Sequence, residues 1–142
     1  SIFLDYDTHI VRERVGDELA GTSYPAKALL NARIPFSNGS DAPVEEPNVM
    51  RGMECAVTRR SIGSTDAPYR PEEALTVREA IDSFTKSGAV ASFEEGKKGE
   101  IANGQLADFV VLSEDPFKAD ANTLQRIEAE AADLGGKCVY RK

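Results

Sequence analysis

The chain has 142 residues, with 24 acidic and 17 basic side chains and a formal net charge of −7 at pH 7. This length suits a single domain that can bury roughly two thirds of the surface of its unfolded chain. The negative charge disfavours nucleic acid and anionic membrane surfaces as partners, and no apolar run approaches the roughly 20 residues needed to span a bilayer. We therefore expect a soluble, cytoplasmic protein that binds neither nucleic acid nor a membrane.

Two cysteines, Cys55 and Cys138, lie far apart in the sequence. Their spacing indicates neither a disulfide framework nor a CxxC metal site, so we expect both thiols to be reduced and buried. The first residue, Ser1, fits removal of methionine, a tag remnant or cleavage from a longer chain, and the sequence does not choose among these.

The first 32 residues predict short elements. Residues 2–4 form an apolar run that we interpret as the end of a strand, and residues 8–20 have enough spaced apolar positions for one or two helical turns. Residues 22–25 (TSYP) then supply cap candidates and an early proline before apolar positions at helical spacing. This pattern predicts a helix over residues 25–32.

A predicted strand and turn lead to one prominent aspartate. Residues 34–37 (IPFS) follow the helix after a two-residue connection, which is typical of a helix that feeds a strand. Residues 38–40 (NGS) form a turn signal, so Asp41 is expected at the carboxyl end of the strand. Residues 43–47 (PVEEP) favour the start of a helix that runs to about residue 58, and residues 61–75 are rich in loop formers.

The clearest local signal is a capping box. The hydroxyl of Thr76 can accept the backbone N–H of Glu79, while the Glu79 carboxylate reaches back to the amide of Thr76. A buried stripe at helical spacing follows, and the helix is expected to end at residues 87–88. A second short helix is predicted over residues 89–95.

The last third of the chain predicts antiparallel strands. Residues 108–112 (DFVVL) have the composition of a buried strand, and Gly135-Gly136 is a two-residue hairpin signal. Residues 128–132 (EAEAA) are ambiguous, because they prefer helix at a position that requires a strand. Alternating strands and helices followed by this β element predict an α/β fold in two parts.

Asp41 is the leading candidate for chemistry. Functional groups in parallel α/β folds lie in the loops at the carboxyl ends of strands. Aspartate is also common in turns because it hydrogen-bonds nearby backbone, and from the residues alone this structural reading is the commoner one.

Other side chains are weaker candidates. His9, the only histidine, is interpreted as a surface side chain, and Glu45-Glu46 as solvated residues at a helix start. Arg59 and Arg60 could bind a substrate anion, but pairing with the acidic surface is the preferred interpretation. Residues 88–98 lack the spacing of a phosphate-binding loop, so no nucleotide site is predicted.

Several ordered blocks resemble a known family. Residues 104–117 (GQLADFVVLSEDPF) and 135–140 (GGKCVY) resemble the carboxyl-terminal signature of the metal-dependent amidohydrolase superfamily. Residues 23–60 and 75–92 narrow the resemblance to a subgroup similar to N-substituted formamide deformylases. The blocks occur in register across residues 14–140, which makes the combination specific.

The resemblance implies a fold and a role for Asp41. Residues 1–95 would be the last strand and outer helices of a distorted (β/α)8 barrel, and residues 96–142 the strands of a small β-sandwich. Residues 34–41 would form the eighth strand of the barrel. In the parent enzyme Asp41 would contact a divalent metal, zinc, and take a proton from the water that the metal activates.

The chain also departs from the family pattern. The upstream histidines and the bridging lysine of the family have no counterpart here, and one histidine cannot complete a zinc site with three protein ligands. A barrel of this kind takes about 250 residues. We therefore expect the carboxyl-terminal portion of an incomplete barrel, which alone binds no metal and turns over no substrate. The EAEAA run is a second departure, since relatives carry β-branched residues there.

Three functional hypotheses follow. In the first, the parent protein hydrolyses carbon–nitrogen bonds other than peptide bonds in a small amide, formamide or cyclic amide. In the second, the chain is a non-catalytic interaction or structural module derived from such an enzyme. In the third, it is a small independent enzyme that uses Asp41 with Glu45 or His9. The exposed edges of an incomplete barrel predict self-association or pairing with the missing amino-terminal part.

Overall fold

The computed structural model describes residues 1–142 and contains α-helices, 3₁₀ helices and one three-stranded sheet. None of the helices combines the length and apolar character that crossing a membrane requires. The α-helices are α1 (Leu4–Asp7), α2 (Val11–Ala20), α3 (Ala26–Asn31), α4 (Val49–Thr58), α5 (Val77–Phe84) and α6 (Lys86–Ala91). The 3₁₀ helices are Pro71–Glu73 and Ala121–Arg126, and the strands are β1 (Phe109–Leu112), β2 (Ala129–Leu134) and β3 (Lys137–Arg141).

Helix α4 lies at the centre of the main hydrophobic core. Its amino end is capped by Asn48, whose side chain accepts a hydrogen bond from the backbone N–H of Arg51 at 3.2 Å. Its apolar face packs against α5 and the second 3₁₀ helix, so residues from both predicted parts of the chain share one core. The buried members of this core are Met50, Met53, Ala56, Leu75, Ala80, Leu124 and Ile127.

The predicted capping box is present at the start of α5. The Thr76 hydroxyl accepts the Glu79 N–H at 3.2 Å, and the Glu79 carboxylate accepts the Thr76 N–H at 2.8 Å. The helices expected over residues 25–32 and up to residue 58 are also confirmed, as α3 and α4. Helix α6 begins at residue 86, three residues before the predicted start.

The sheet is a small antiparallel meander in the order β1-β2-β3. The predicted hairpin is confirmed: Gly135 and Gly136 join β2 to β3 with φ values of 58° and 77°, which suits a two-residue turn. The ambiguous EAEAA run forms most of β2. This strand is hydrogen-bonded on both sides, and that pairing overrides the helix preference of alanine and glutamate.

Four expectations need correction. Residues 2–4 lead into α1 and do not form a strand. Residues 34–37 are assigned to no strand, because the only sheet forms after residue 108 and offers them no neighbour to pair with. Residues 8–20 contribute a longer helix than expected, which is kinked at Gly16. Cys138 is exposed on β3, whereas Cys55 is buried as predicted, and both thiols are free.

The mixture of helices and sheet agrees with the predicted α/β class. The incomplete barrel, the β-sandwich and the division of the chain at residue 95 stay predictions. What the fold does establish is the path of residues 34–48, which connect α3 to α4 and carry Asp41.

Candidate functional site

The segment before Asp41 belongs to no helix or strand and is anchored to the body of the protein. Phe36 packs against the main core, and the backbone N–H of Asn38 donates to the carbonyl of Ser83 at 3.0 Å. The Asn38 side chain donates to the Ser83 hydroxyl at 2.8 Å. Helix α5 therefore takes the place of a neighbouring strand as the hydrogen-bond partner of this segment.

Asp41 lies three residues beyond that anchor, in a turn. Its backbone has φ 56°, a left-handed conformation that aspartate tolerates better than most residues. Its carbonyl accepts the N–H of Val44 at 2.9 Å, which closes the turn. The side chain is exposed, so the carboxylate is accessible to a group from outside residues 1–142.

The residues of this chain do not by themselves form a metal site. No three histidine, cysteine, aspartate or glutamate side chains converge closely enough to hold a metal ion. Asp41 has the chemistry of one oxygen ligand, but a zinc site takes three or four protein ligands. Asp41 thus has the chemistry of one metal ligand, and this chain does not supply the other ligands of such a site.

Neither His9 nor Glu45 forms a hydrogen bond with Asp41, and Glu45 lies four residues beyond it in the same connection. His9 lies between α1 and α2, where its Nε2 is 3.3 Å from the hydroxyl of Ser61, and its side chain is exposed as predicted. Glu46 and Asn48 border an apolar groove of about 1110 Å³ between α4, α5 and the sheet. Asp41 does not line this groove.

The two arginines after α4 differ from their predicted role. Neither Arg59 nor Arg60 is among the residues that form ion pairs within 4.0 Å. Arg59 is only 1% exposed, because the left-handed backbone at this residue turns its side chain back into the protein. Burial lowers the pKa of the Arg59 guanidinium from its ordinary value. Sequence reasoning missed this inward turn, and the only signal for it was that the pair directly follows the end of a helix.

The model of the Amidohydrolase family, Amidohydro_3, matches residues 1–140. A Bacillus subtilis protein named as an amidohydrolase, YtcJ, is 36% identical over 99% of this chain and 28% of its own length. The protein LONG AFTER FAR-RED 3 of Arabidopsis thaliana is 33% identical over 94% of the chain and 23% of its own length.

The N-substituted formamide deformylase of Arthrobacter pascens is 29% identical over 84% of the chain and 22% of its own length. The crystal structure of an amidohydrolase from Thermotoga maritima superposes with a TM-score of 0.45 at 19% identity, covering 89% of this chain and 36% of that one. The chain thus spans about a quarter of the length of the curated relatives it matches. Because the family match covers residues 1–140 of 142, this chain belongs to the amidohydrolase family.

Proposed function

We propose that the whole protein containing this chain is a metal-dependent hydrolase of carbon–nitrogen bonds other than peptide bonds. The observation that carries the proposal is the family match over residues 1–140. The similarity to a protein named N-substituted formamide deformylase favours a small amide, formamide or cyclic amide as the substrate. Since the chain covers about a quarter of its relatives, most of the site would lie on other residues of the whole protein.

Asp41 is the residue of this chain that we assign to the reaction. A divalent metal, zinc in our proposal, would polarise the substrate carbonyl and activate a water molecule when bound. The exposed Asp41 carboxylate would supply one oxygen ligand to that metal and accept the proton of the attacking water. Asn38 and Ser83 hold the preceding segment in place, so the position of the carboxylate is set by contacts within this chain.

The experiment is the substitution Asp41→Asn in the whole protein. The amide keeps the size of the side chain but can neither accept the proton nor bind the metal as an anion. We expect a loss of kcat/KM of about 100-fold or more, the usual contribution of a general base, together with a lower metal content. Asp17→Asn, in the exposed part of α2, is the matched control. Equal activity and equal metal content in Asp41→Asn would remove Asp41 from the site.

The uncovered sheet supports a second element of the proposal, which is pairing with the rest of the whole protein. Phe109, Val110 and Val111 are consecutive, and all three are exposed. Adjacent strand residues point to opposite faces, so both faces of β1 present apolar side chains. A sheet needs a second layer to bury such a face. We propose that residues outside this chain provide it, since the relatives are three to four times longer.

Burial of β1 in the whole protein tests this pairing. If another layer covers the strand, Val110→Lys will lower the free energy of unfolding by well over 1 kcal/mol, as buried charges do. If the strand remains exposed, the change will stay within about 0.5 kcal/mol. Asn103→Lys, in an exposed turn before the strand, adds the same single charge and is the control. Sedimentation of the same samples separates pairing within one molecule from self-association of copies.

The apolar groove favours the alternative that the chain acts as a non-catalytic interaction module. The groove has about 1110 Å³ and ten hydrophobic lining residues, which is a surface that a protein segment could occupy. The open reading frame of the gene discriminates between the hydrolase and the interaction module. Several hundred upstream residues with a His-x-His pair support the hydrolase, and a start codon directly before residue 1 supports the module. The free cysteines fit the predicted reducing cytoplasm in either case.

A further inference from the structure

A second cavity, of about 370 Å³, is lined mainly by charged and polar side chains. It lies between the α1–α2 connection, the end of α4 and the loop of residues 64–70. The Asp41 loop leads into the first turn of α4, whereas this cavity follows its last turn, about 15 Å further along the axis. Four arginines line the cavity with a single carboxylate: Arg12, Arg59, Arg60, Arg70 and Asp66.

Arg59 is the most deeply buried of these arginines, at 1% exposed. Its Nε donates to the carbonyl of Tyr69 at 3.0 Å, and the Tyr69 N–H donates to the Arg59 carbonyl at 2.7 Å. These two bonds fix the guanidinium at the cavity wall. Its Nη2 has no hydrogen-bond partner. The nearby carboxylate of Glu73 offsets part of this cost, but it is held by Arg70 at 3.3 Å and forms no ion pair with Arg59. A buried guanidinium without an ion pair is costly to the folded state, so a further negative group at the cavity would be stabilising.

Arg60 forms no ion pair within 4.0 Å either. Its Nη1 reaches Asn122 at 3.4 Å, a long contact with a neutral oxygen, and its Nε has no partner. The nearest acid on the cavity wall, Asp66, instead accepts a hydrogen bond from the hydroxyl of Ser64 at 2.8 Å. Arg59 and Arg60 therefore both line this cavity, and neither forms an ion pair within 4.0 Å in this chain.

The remaining arginines are already paired. Arg70 contacts Glu72 at 3.1 Å and Glu73 at 3.3 Å, and Arg12 is 4.0 Å from Asp17. Arg70 is therefore neutralised by two carboxylates, whereas Arg12 is an exposed side chain whose charge is screened by solvent. Of the four arginines that line the cavity, only Arg59 and Arg60 form no ion pair within 4.0 Å.

We propose that this cavity binds the anionic group of a small molecule, a phosphate or a carboxylate, between Arg59 and Arg60. The planar fork of a guanidinium matches the oxygens of both groups. The hydroxyls of Thr8 and Ser64 and the ring of His9, which also line the cavity, provide further polar contacts. The volume lies within the usual range for small-molecule sites, so the anion has room to carry an organic group. The proposal does not involve Asp41 and goes beyond the proposed hydrolysis.

Isothermal titration of the whole protein tests the site. Inorganic phosphate and acetate are titrated separately in a chloride buffer at neutral pH and constant ionic strength. We expect saturable binding of one equivalent of at least one of the two anions. Arg60→Gln should weaken that binding by about tenfold or more, because it removes a charge-assisted hydrogen bond. Arg60→Lys keeps the charge but lacks the planar fork, so its affinity for the anion should lie between those of the unaltered protein and Arg60→Gln.

The variant Arg60→Gln suits this test because its side chain is only half-buried and the protein should still fold. Arg14→Gln, an exposed arginine of α2 that does not line the cavity, is the matched control and should bind like the unaltered protein. The thermal midpoint gives a second readout, since the bound anion should raise Tm in the unaltered protein and not in Arg60→Gln. Absence of saturable binding of either anion would overturn the proposal, and so would equal binding by Arg60→Gln. Absence of binding is expected if a carboxylate elsewhere in the whole protein neutralises Arg59 and Arg60.

Discussion

The side chain of Asn38 donates to the hydroxyl of Ser83 at 2.8 Å, although 45 residues separate the two in the sequence. Ser83 is 2% exposed, and its hydroxyl in turn donates to the carbonyl of Ala80 at 2.7 Å. This short chain of hydrogen bonds joins the segment that carries Asp41 to the interior of α5. The position of the candidate catalytic carboxylate thus depends on Ser83, a helix residue that follows it by 42 positions in the sequence.

Removal of this link should loosen the Asp41 segment. Asn38→Ala removes this bond and also the Oδ1 that accepts hydrogen bonds from the amino group and hydroxyl of Ser1. We expect it to lower the free energy of unfolding by about 1–3 kcal/mol, the cost of leaving partly buried partners unpaired. Urea unfolding measures the change, and Asn103→Ala, in an exposed turn, is the control. If the whole protein is a hydrolase, kcat should fall more than the stability loss explains, because Asp41 would be less precisely placed. A stability equal to that of the control would show that the link is not needed.

The capping box of α5 should contribute measurably to stability. Thr76→Ala removes the oxygen that accepts the N–H of Glu79 at 3.2 Å. We expect a loss of about 0.5–2 kcal/mol in the free energy of unfolding, read from chemical denaturation. Thr65→Ala, in the exposed loop before the first 3₁₀ helix, should change stability by no more than about 0.5 kcal/mol. Equal losses in the two variants would contradict the prediction.

The buried carboxylate of Glu54 should make stability depend on pH. Glu54 is 3% exposed and accepts the N–H of Gln125 at 2.9 Å. Burial raises the pKa of this carboxyl above its ordinary value, because desolvation disfavours the charged form. The folded state therefore binds the proton more tightly than the unfolded state. The stability from this group is complete below the ordinary value of 4.5 and is lost as the pH rises through the higher folded pKa.

The variant Glu54→Gln isolates this effect. The amide oxygen can still accept the Gln125 N–H, but no charge forms at any pH. We expect the variant to lose less stability than the unaltered protein as the pH rises from about 4 to about 7. Denaturant midpoints over this range provide the measurement, and Glu13→Gln, on the exposed side of α2, is the control. Parallel stability curves for Glu54→Gln and the unaltered protein would refute the prediction.

The hairpin between β2 and β3 requires glycine in its turn. Gly135 has φ 58°, and a side chain costs about 1–2 kcal/mol in this left-handed region. We expect Gly135→Ala to lower stability by about that amount, although no atom lies within 4 Å of the added methyl group. Gly88→Ala is the matched control: its methyl group also meets open space, but α6 holds it in helical geometry. The control should be neutral or stabilising by up to about 1 kcal/mol.

The candidate site was predictable only in part. Asp41 follows an apolar run and a turn signal, and both are local features that the sequence displays directly. The arginine cavity was not predictable, because its walls come from the α1–α2 connection, the end of α4 and the loop at residues 64–70. The sequence predicted a surface position for Arg59. In the structure its backbone is left-handed and its side chain is buried at the wall of that cavity.

The sequence by itself determined the elements whose signals are local: the capping box at Thr76, the Gly135-Gly136 hairpin and the helical spacing of α3 and α4. It also carried the blocks by which the family can be recognised. Only the tertiary structure decided that EAEAA is a strand, that residues 34–37 stay unpaired and that Arg59 is buried. The physical reason is the range of the forces involved. Capping and turn geometry act between residues a few positions apart, whereas strand pairing and burial depend on partners that folding brings from distant positions.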